Sequence, residues 1–383
     1  MMKKLIFVLA IVLYCSLLFQ TREVTGVCQI EKRNNITVLR LKGSPYDIGY
    51  YQGKHLKQEI TGNLQTDSIS KFFEGPTKEK VINYLRQTEQ IIPSQYLTEM
   101  RGLAEGFGID YDTILAFNVN IEIQLGTLRI ACTNAGATNE ATIGRKTIHM
   151  RTLDAAVSDY AMVIAFYENE EGTSFCSVVP AGYVGVFSGM NNHGMTVSDN
   201  LEISTKKYDS KGMPLPVFRR MILEKARSID EVDKMMKEFN LAIPNDIMVS
   251  DGKKNEMRVY EVVPGKFKVN YPRKDIIYSV NKDAHERREF VDKYLKKRRG
   301  NLDVENFVKL AREEAVCKYQ VMGNPIKSLS TVIFVPNDHN FWVALRPRGD
   351  QAPSSYNEFV GFNLLEETGL GSPSVKPANF PAK

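Results

Sequence analysis

Cysteine and histidine are scarce in this chain, five of each in 383 residues, and neither is spaced to hold a metal. There is no C-x-x-C or mixed Cys/His arrangement of the zinc-site kind, and no H-x-H or H-E-x-x-H sets two imidazoles on one face. A metal centre therefore finds no support, and no cofactor is expected. Also missing are G-x-S-x-G, the strained turn that presents a catalytic serine, and a glycine-rich phosphate loop. The sequence has no low-complexity block and no internal repeat of the roughly 20–50-residue kind. An excess of one charge is lacking too: 50 Lys and Arg against 45 Asp and Glu leave +5, too dispersed for the basic patch that phosphate recognition needs. No nucleic-acid partner is expected. With 43% hydrophobic and 25% charged residues, the composition argues against disorder, collagen-like repeats and a polytopic membrane protein. A chain of this length holds one large domain or two and needs no staples for its core.

The N-terminal apolar run, Leu5 to Phe19, is 15 residues long, short of the roughly 20 that span a bilayer. Behind Lys3 and Lys4 it has the form of a signal-peptide core. Residues 1–26 are therefore read as a signal peptide cut near Val24-Thr25-Gly26, or as an uncleaved membrane anchor. In either case export to the periplasm or beyond is expected. Cys15 belongs to this segment, which leaves Cys28, Cys132, Cys176 and Cys317. These allow one disulfide in an oxidising compartment, not a disulfide framework, and at least one of them reads as a working thiol.

Residues 37–41 read as a short strand, followed by a turn at Gly43-Ser44-Pro45 and a helix through Ile48, Tyr51 and His55 that Asp47 is placed to cap. A second helical region runs from about Lys78 to Phe107, and Tyr111 to Asn120 reads as another. From Ala131 the texture changes to short β-branched and aromatic runs between turns: Thr147 to Met150, Met162 to Tyr167, Ser174 to Val179, Tyr183 to Phe187 and Gly194 to Ser198. Their spacing suits antiparallel strands. Two hairpins follow, Arg258 to Val263 with Lys266 to Asn270, and Thr331 to Val335 with Phe341 to Leu345. Helices lie around Phe218, Met221 and Ile222, after the capping-box pattern Ser228 to Glu231, and over Asn301 to Glu314. Strands and helices in blocks point to an α+β layered fold rather than βαβ units. A proline-rich tail from about Pro347 is expected to wrap the surface.

His55, His149, His193, His285 and His339 carry no catalytic spacing, and each reads first as a core or surface residue. A Cys–His thiol pair stays open, because such partners meet only in space. Cys132-Thr133 stands apart: it opens the β-rich region, and Arg151-Thr152-Leu153-Asp154 begins nineteen residues on. Taken alone, Cys132 reads as a small buried hydrophobe, and Arg151 and Asp154 as a surface ion pair.

In its surroundings this pattern resembles the autoproteolytic N-terminal-nucleophile (Ntn) hydrolases of the acyl-CoA:6-aminopenicillanate (isopenicillin N) acyltransferase family, more distantly related to choloylglycine hydrolases and acid ceramidase. The resemblance is carried by Leu41 to Gly53 (LKGSPYDIGYYQG), Arg101 to Gly108 (RGLAEGFG), Cys132-Thr133 at the nucleophile position, Arg151-x-x-Asp154, and the Gly189 to Asn200 block. It implies a four-layer αββα sandwich of two antiparallel sheets. It also implies self-cleavage between Ala131 and Cys132. The products would be an α-rich segment, 27–131, acting as propeptide or α-subunit, and a β-subunit, 132–383, with the two fragments staying associated.

The chemistry so implied is that of an N-terminal-cysteine amidohydrolase or acyltransferase, acting on the linear C–N bond of a small acyl amide through a Cys132 thioester. The freed α-amine would titrate near about 7.7–8.0, suited to serve as general base for its own thiol. By the resemblance, Asp154 would hold that amine, Arg151 would lower the thiol pKa through its fixed charge, and Asn200 and Asn281 would polarise the oxyanion. Arg287, preferred over its twin Arg288, would stand near the nucleophile. Relatives commonly have glycine before the nucleophile; Ala131, with less backbone freedom, implies slower cleavage or none. Two alternatives stay open: an uncleaved cysteine hydrolase with a histidine base, and a non-catalytic envelope binding protein that keeps the fold. The acyl group, and whether water or an amine captures the thioester, are not legible.

Overall fold

The computed structural model describes residues 26–124, 130–155, 160–169, 172–201, 208–281, 284–321, 324–373 and 375–383. The signal or anchor segment read from the sequence lies outside these, Gly26 excepted. The chain enters through strands β1 (Val27–Arg33) and β2 (Ile36–Lys42). Helices α1 (Pro45–His55), α2 (Lys57–Thr66), α3 (Lys78–Glu89), α4 (Ser94–Phe107) and α5 (Tyr111–Asn118) follow. Next come β3 (Ile130–Ala137), β4 (Ile148–Ala155), β5 (Met162–Glu168), β6 (Phe175–Pro180), β7 (Ser188–Asn191) and β8 (Met195–Leu201). Helices α6 (Leu215–Lys225) and α7 (Ile229–Glu238) precede β9 (Asn245–Asp251), β10 (Glu256–Val263), β11 (Lys266–Asn270) and β12 (Ile276–Val280). Helices α8 (His285–Lys297) and α9 (Val304–Arg312) lead to β13 (Lys318–Val321), β14 (Asn324–Val335), β15 (Asn340–Leu345) and β16 (Val360–Asn363).

Among the described residues the strands form a nine-stranded sheet, in the order β1-β2-β5-β6-β7-β8-β9-β10-β11, and a seven-stranded sheet, β12-β3-β4-β14-β15-β16 with β13 on β14. Neighbours are antiparallel except β2 and β5, which run parallel. The sheets meet face to face, β3 against β8 and β10 against β12. Alternate residues of β14 show the layering: Phe334 joins the inner core with Phe166 and Phe341, while Ile333 joins a second cluster with Leu295 and Phe307 of α8 and α9. Helices α6 and α7 cover the nine-stranded sheet. The result is the αββα sandwich that the resemblance implied.

Local chemistry explains where elements begin and end. Ser44, not Asp47, caps α1: its Oγ accepts from the Asp47 amide at 3.3 Å and donates to the Asp47 carboxylate at 2.7 Å, with Pro45 pre-set for the first turn. The helical stretch expected from Lys78 to Phe107 is two helices, broken before Pro93, which cannot continue α3. Helices α1 and α4 touch backbone to backbone: a Cβ on Gly49 would lie 1.9 Å from Glu99 O, and one on Gly102 would lie 2.1 Å from Tyr46 O. Ser228 is the N-cap of α7 without a side-chain cap bond, and Glu231 instead accepts from the Arg227 amide at 2.6 Å.

Tyr183 to Phe187, expected as a strand, is irregular. Its polar backbone is claimed from outside any sheet. The Val184 amide donates to Asn118 Oδ1 (2.7 Å), and the Val184 and Val186 carbonyls accept from Arg220 Nη1 (2.7 Å) and Arg219 Nε (2.6 Å). Both expected hairpins form. The tail does more than wrap: it supplies edge strand β16 and is tied down by the Trp342 indole N–H on Ala378 O at 2.8 Å. Cys28, Cys132, Cys176 and Cys317 are all free thiols.

Candidate active site

Cys132 lies in β3, directly after Ala131, and is fully buried. The β3–β4 register sets Cys132 opposite Leu153, Ala131 opposite Asp154 and Asn134 opposite Arg151. Side chains alternate along a strand, so Arg151 points to the inner face with Cys132, while Asp154 points to the outer face, toward α8. One guanidinium then serves several groups. Arg151 Nη2 stands 3.3 Å from Cys132 Sγ and 2.8 Å from Asp199 Oδ1, Nη1 donates to Ser188 Oγ at 3.2 Å, and Nε donates to the Asp199 carbonyl at 3.1 Å.

On the outer side, Asp154 Oδ2 accepts from Thr152 Oγ1 at 2.9 Å and faces Arg287 Nη1 at 3.6 Å. Arg287 is buried on α8 and also donates from Nη2 to Asn281 Oδ1 at 3.4 Å; its neighbour Arg288 is only half-buried. Asn281 ties three elements together. Its Oδ1 accepts the Cys132 amide at 3.2 Å, and its Nδ2 donates to Leu201 O at 2.7 Å.

Five of the six residues picked out in the sequence, Cys132, Arg151, Asp154, Asn281 and Arg287, thus form one connected constellation. Asn200 stands beside it. It is fully buried in β8, but its Nδ2 goes to Ser279 Oγ at 3.1 Å, and Ser279 Oγ in turn donates to Asp246 at 2.7 Å. Among the described residues, no hydrogen bond joins Asn200 to Cys132.

Two groups not picked out complete the electrostatics. Asp199 is buried between Arg151 and Arg219, whose Nη1 forms an ion pair with Asp199 Oδ2 at 2.9 Å, and Asn245 Nδ2 donates to the same oxygen at 3.1 Å. In sequence Asp199 looks like an ordinary strand residue. The available signal was in α6, where Arg219-Arg220 interrupts an otherwise apolar run from Leu215 to Leu223, every residue of it buried. A buried arginine needs a buried acidic partner.

In the unbroken chain, burial pushes the Cys132 thiol up to about 11, with Arg151 pulling the other way and Asp199 and Asp154 adding to the rise. Arg151 therefore acts in the expected direction but does not outweigh desolvation. His149, the buried histidine of β4, is held between Thr196 (2.7 Å) and Ser198 (2.7 Å), and burial depresses it to about 3. Among the described residues, no histidine is hydrogen-bonded to Cys132. A small pocket next to Leu153, the cross-strand partner of Cys132, is lined by Asn120, Ile121, Tyr160, Tyr183 and Phe187.

Comparison with known proteins places this constellation in context. Residues 142–298 match the family model described as acyl-coenzyme A:6-aminopenicillanic acid acyl-transferase. That span contains Arg151, Asp154, Asn200, Asn281 and Arg287 and begins ten residues after Cys132. An uncharacterized protein of Archaeoglobus fulgidus is 26% identical over 291 residues, 65% of this chain and 48% of that one. The acyl-coenzyme A:6-aminopenicillanic-acid-acyltransferase 40 kDa form of Emericella nidulans is 24% identical over 226 residues, 55% of this chain and 59% of that one. The chain spans about half the length of the curated relatives it matches. Among solved structures, a Caenorhabditis elegans N-acylethanolamine-hydrolyzing acid amidase ortholog aligns with TM-score 0.44 and 23% identity, over 54% of this chain and 93% of that one.

Proposed function

We propose that this chain, related to the acyl-coenzyme A:6-aminopenicillanic acid acyl-transferase family, is an exported N-terminal-cysteine hydrolase or acyltransferase that cleaves small acyl amides after cutting itself between Ala131 and Cys132. The observation that carries the reading is the 3.3 Å approach of the Arg151 guanidinium to Cys132 Sγ, with Asp154, Asn281 and Arg287 grouped around the same residue.

Maturation begins when Cys132 Sγ adds to the Ala131 carbonyl. The C–N bond breaks as the nitrogen takes up the thiol proton, leaving an Ala131–Cys132 thioester. Water hydrolyses that ester, giving an Ala131 carboxylate on the 27–131 segment and a free thiol and α-amine on the 132–383 segment. In turnover the α-amine accepts the thiol proton as sulfur attacks the amide carbonyl of the substrate. Collapse of the tetrahedral intermediate passes that proton to the leaving amine and forms the acyl thioester, which water or an acceptor amine resolves. Asn281 is placed to hold the nitrogen of Cys132, and Asp154, beside Arg287, can take over once that nitrogen is charged. Arg151 favours the thiolate, and Asn200 is the candidate oxyanion donor once its amide leaves Ser279.

A histidine-based mechanism gains nothing from the geometry, because the buried His149 is depressed far below neutrality and bonded to hydroxyls. Intact-mass and denaturing-gel analysis tests the proposal. Two pieces, one beginning at Cys132 and both lost in Cys132→Ala, are expected, whereas a permanently single chain that hydrolyses amides would refute self-activation.

A further inference from the structure

Arg219 is the most enclosed cation near Cys132, yet it touches neither the sulfur nor the groups assigned to the reaction. It is 1% exposed. Helix α6 delivers it to the inner core, Nε donates to Val186 O at 2.6 Å, the Phe187 ring lies 5.6 Å from its guanidinium carbon, and Nη1 meets Asp199 Oδ2 at 2.9 Å. Asp199 in turn meets Arg151 at 2.8 Å, and Arg151 meets Cys132 Sγ. The order is cation, anion, cation, sulfur. We propose that Arg219 is a positioning residue for Cys132, acting through Asp199 to keep the charge of Arg151 directed at the sulfur.

Charge balance among these buried groups decides how Arg151 acts on Cys132. Asp199 is an anion beside the nucleophile, and by itself it would oppose formation of a thiolate and offset Arg151. A second cation on its far oxygen partly compensates it, so that less of the charge of Arg151 is offset on the side facing Cys132. Among the described residues, Asp154 acts on Cys132 from the outer side, where it is paired with Arg287. Glu122 faces Arg219 and is tied by Oε1 to the Leu215 amide at 3.0 Å, at the start of the helix that carries Arg219. Burial raises Glu122 to about 7, which lessens the negative charge it adds. An ion-pair chain of this kind is worth more inside a protein than in water, because the low local dielectric screens it little.

The inference rests on Cys132 being the nucleophile, and its test does not use amide hydrolysis. The rate of iodoacetamide alkylation at Cys132 is followed by peptide mass spectrometry from pH 6 to 10 in the wild-type chain, Arg219→Ala and Arg219→Lys, with Cys176 as an internal reference for a thiol in the same core. In Arg219→Ala the alkylation rate should fall about tenfold at each pH in this range, as a rise of about one pH unit in the thiol's midpoint demands. Arg219→Lys, which keeps the charge but not the fork, should recover most of that loss. Identical profiles in wild type and Arg219→Ala, an unreactive Cys132 in both included, would overturn the inference. So would a change that Cys176 shares, since that reports a loosened core. A shifted profile in a chain that hydrolyses no amide would count against the proposed activity and leave the role of Arg219 standing.

Discussion

The guanidinium of Arg151 binds Cys132 Sγ and Asp199 Oδ1 through the same nitrogen, Nη2, at 3.3 and 2.8 Å. Sulfur and carboxylate thus share one donor, and whatever shifts Asp199 shifts the support given to Cys132. Arg151→Lys keeps a positive charge but cannot reach Cys132, Ser188 and the Asp199 carbonyl together. Self-cleavage, followed on a denaturing gel, and kcat/KM for an acyl amide should both fall by about 10²-fold, with the melting temperature changed far less than in Arg151→Ala, which leaves buried groups unpaired.

Ala131 immediately precedes the candidate nucleophile. Ala131→Gly widens the backbone conformations open to the scissile unit, and the two-fragment form should accumulate several-fold faster after synthesis. An unchanged rate would mean that attack by sulfur, not the conformation of residue 131, limits cleavage.

Asp67 closes helix α2, with the Asn120 amide and the Tyr160 hydroxyl on its carboxylate. Burial raises it from 3.8 to about 7. The folded chain therefore keeps a proton that the unfolded chain has released. The stabilisation from this group is complete below about pH 4 and is lost as pH rises through about 7. Asp67→Asn should flatten the decline in melting temperature across that window in differential scanning fluorimetry; an unaltered slope would show that Asp67 does not titrate there.

Gly102 faces Tyr46 O where α1 and α4 cross. A methyl group there has backbone, not a flexible side chain, to displace. Gly102→Ala should cost about 1–3 kcal/mol in urea unfolding without altering the alkylation profile of Cys132.

Much of the architecture was legible because local rules and tertiary context agree. The β10–β11 and β14–β15 hairpins carry their turn residues between alternating strands, and Cys132, Arg151 and Asp154 follow from residue order once the motif is seen. What the sequence hid has a common cause. Tyr183 to Phe187 has strand-like composition, but its hydrogen-bonding groups are taken by Asn118, Arg219 and Arg220, which lie far away in sequence. The parallel pairing of β2 with β5 is equally invisible, because more than a hundred residues separate the partners. Asp199 escaped notice because β8 is buried along its whole length, so alternation no longer separates inside from outside.

That parallel ladder, Thr37 to Lys42 alongside Val163 to Glu168, has a consequence for what scission would release. A front piece ending at Ala131 holds two border strands of the nine-stranded sheet, and pulling it away would strip β5 of its neighbour and uncover a raw hydrogen-bonding edge. Cutting the peptide bond would then yield a nicked heterodimer, its halves travelling as a single particle through gel filtration and parting only in denaturant.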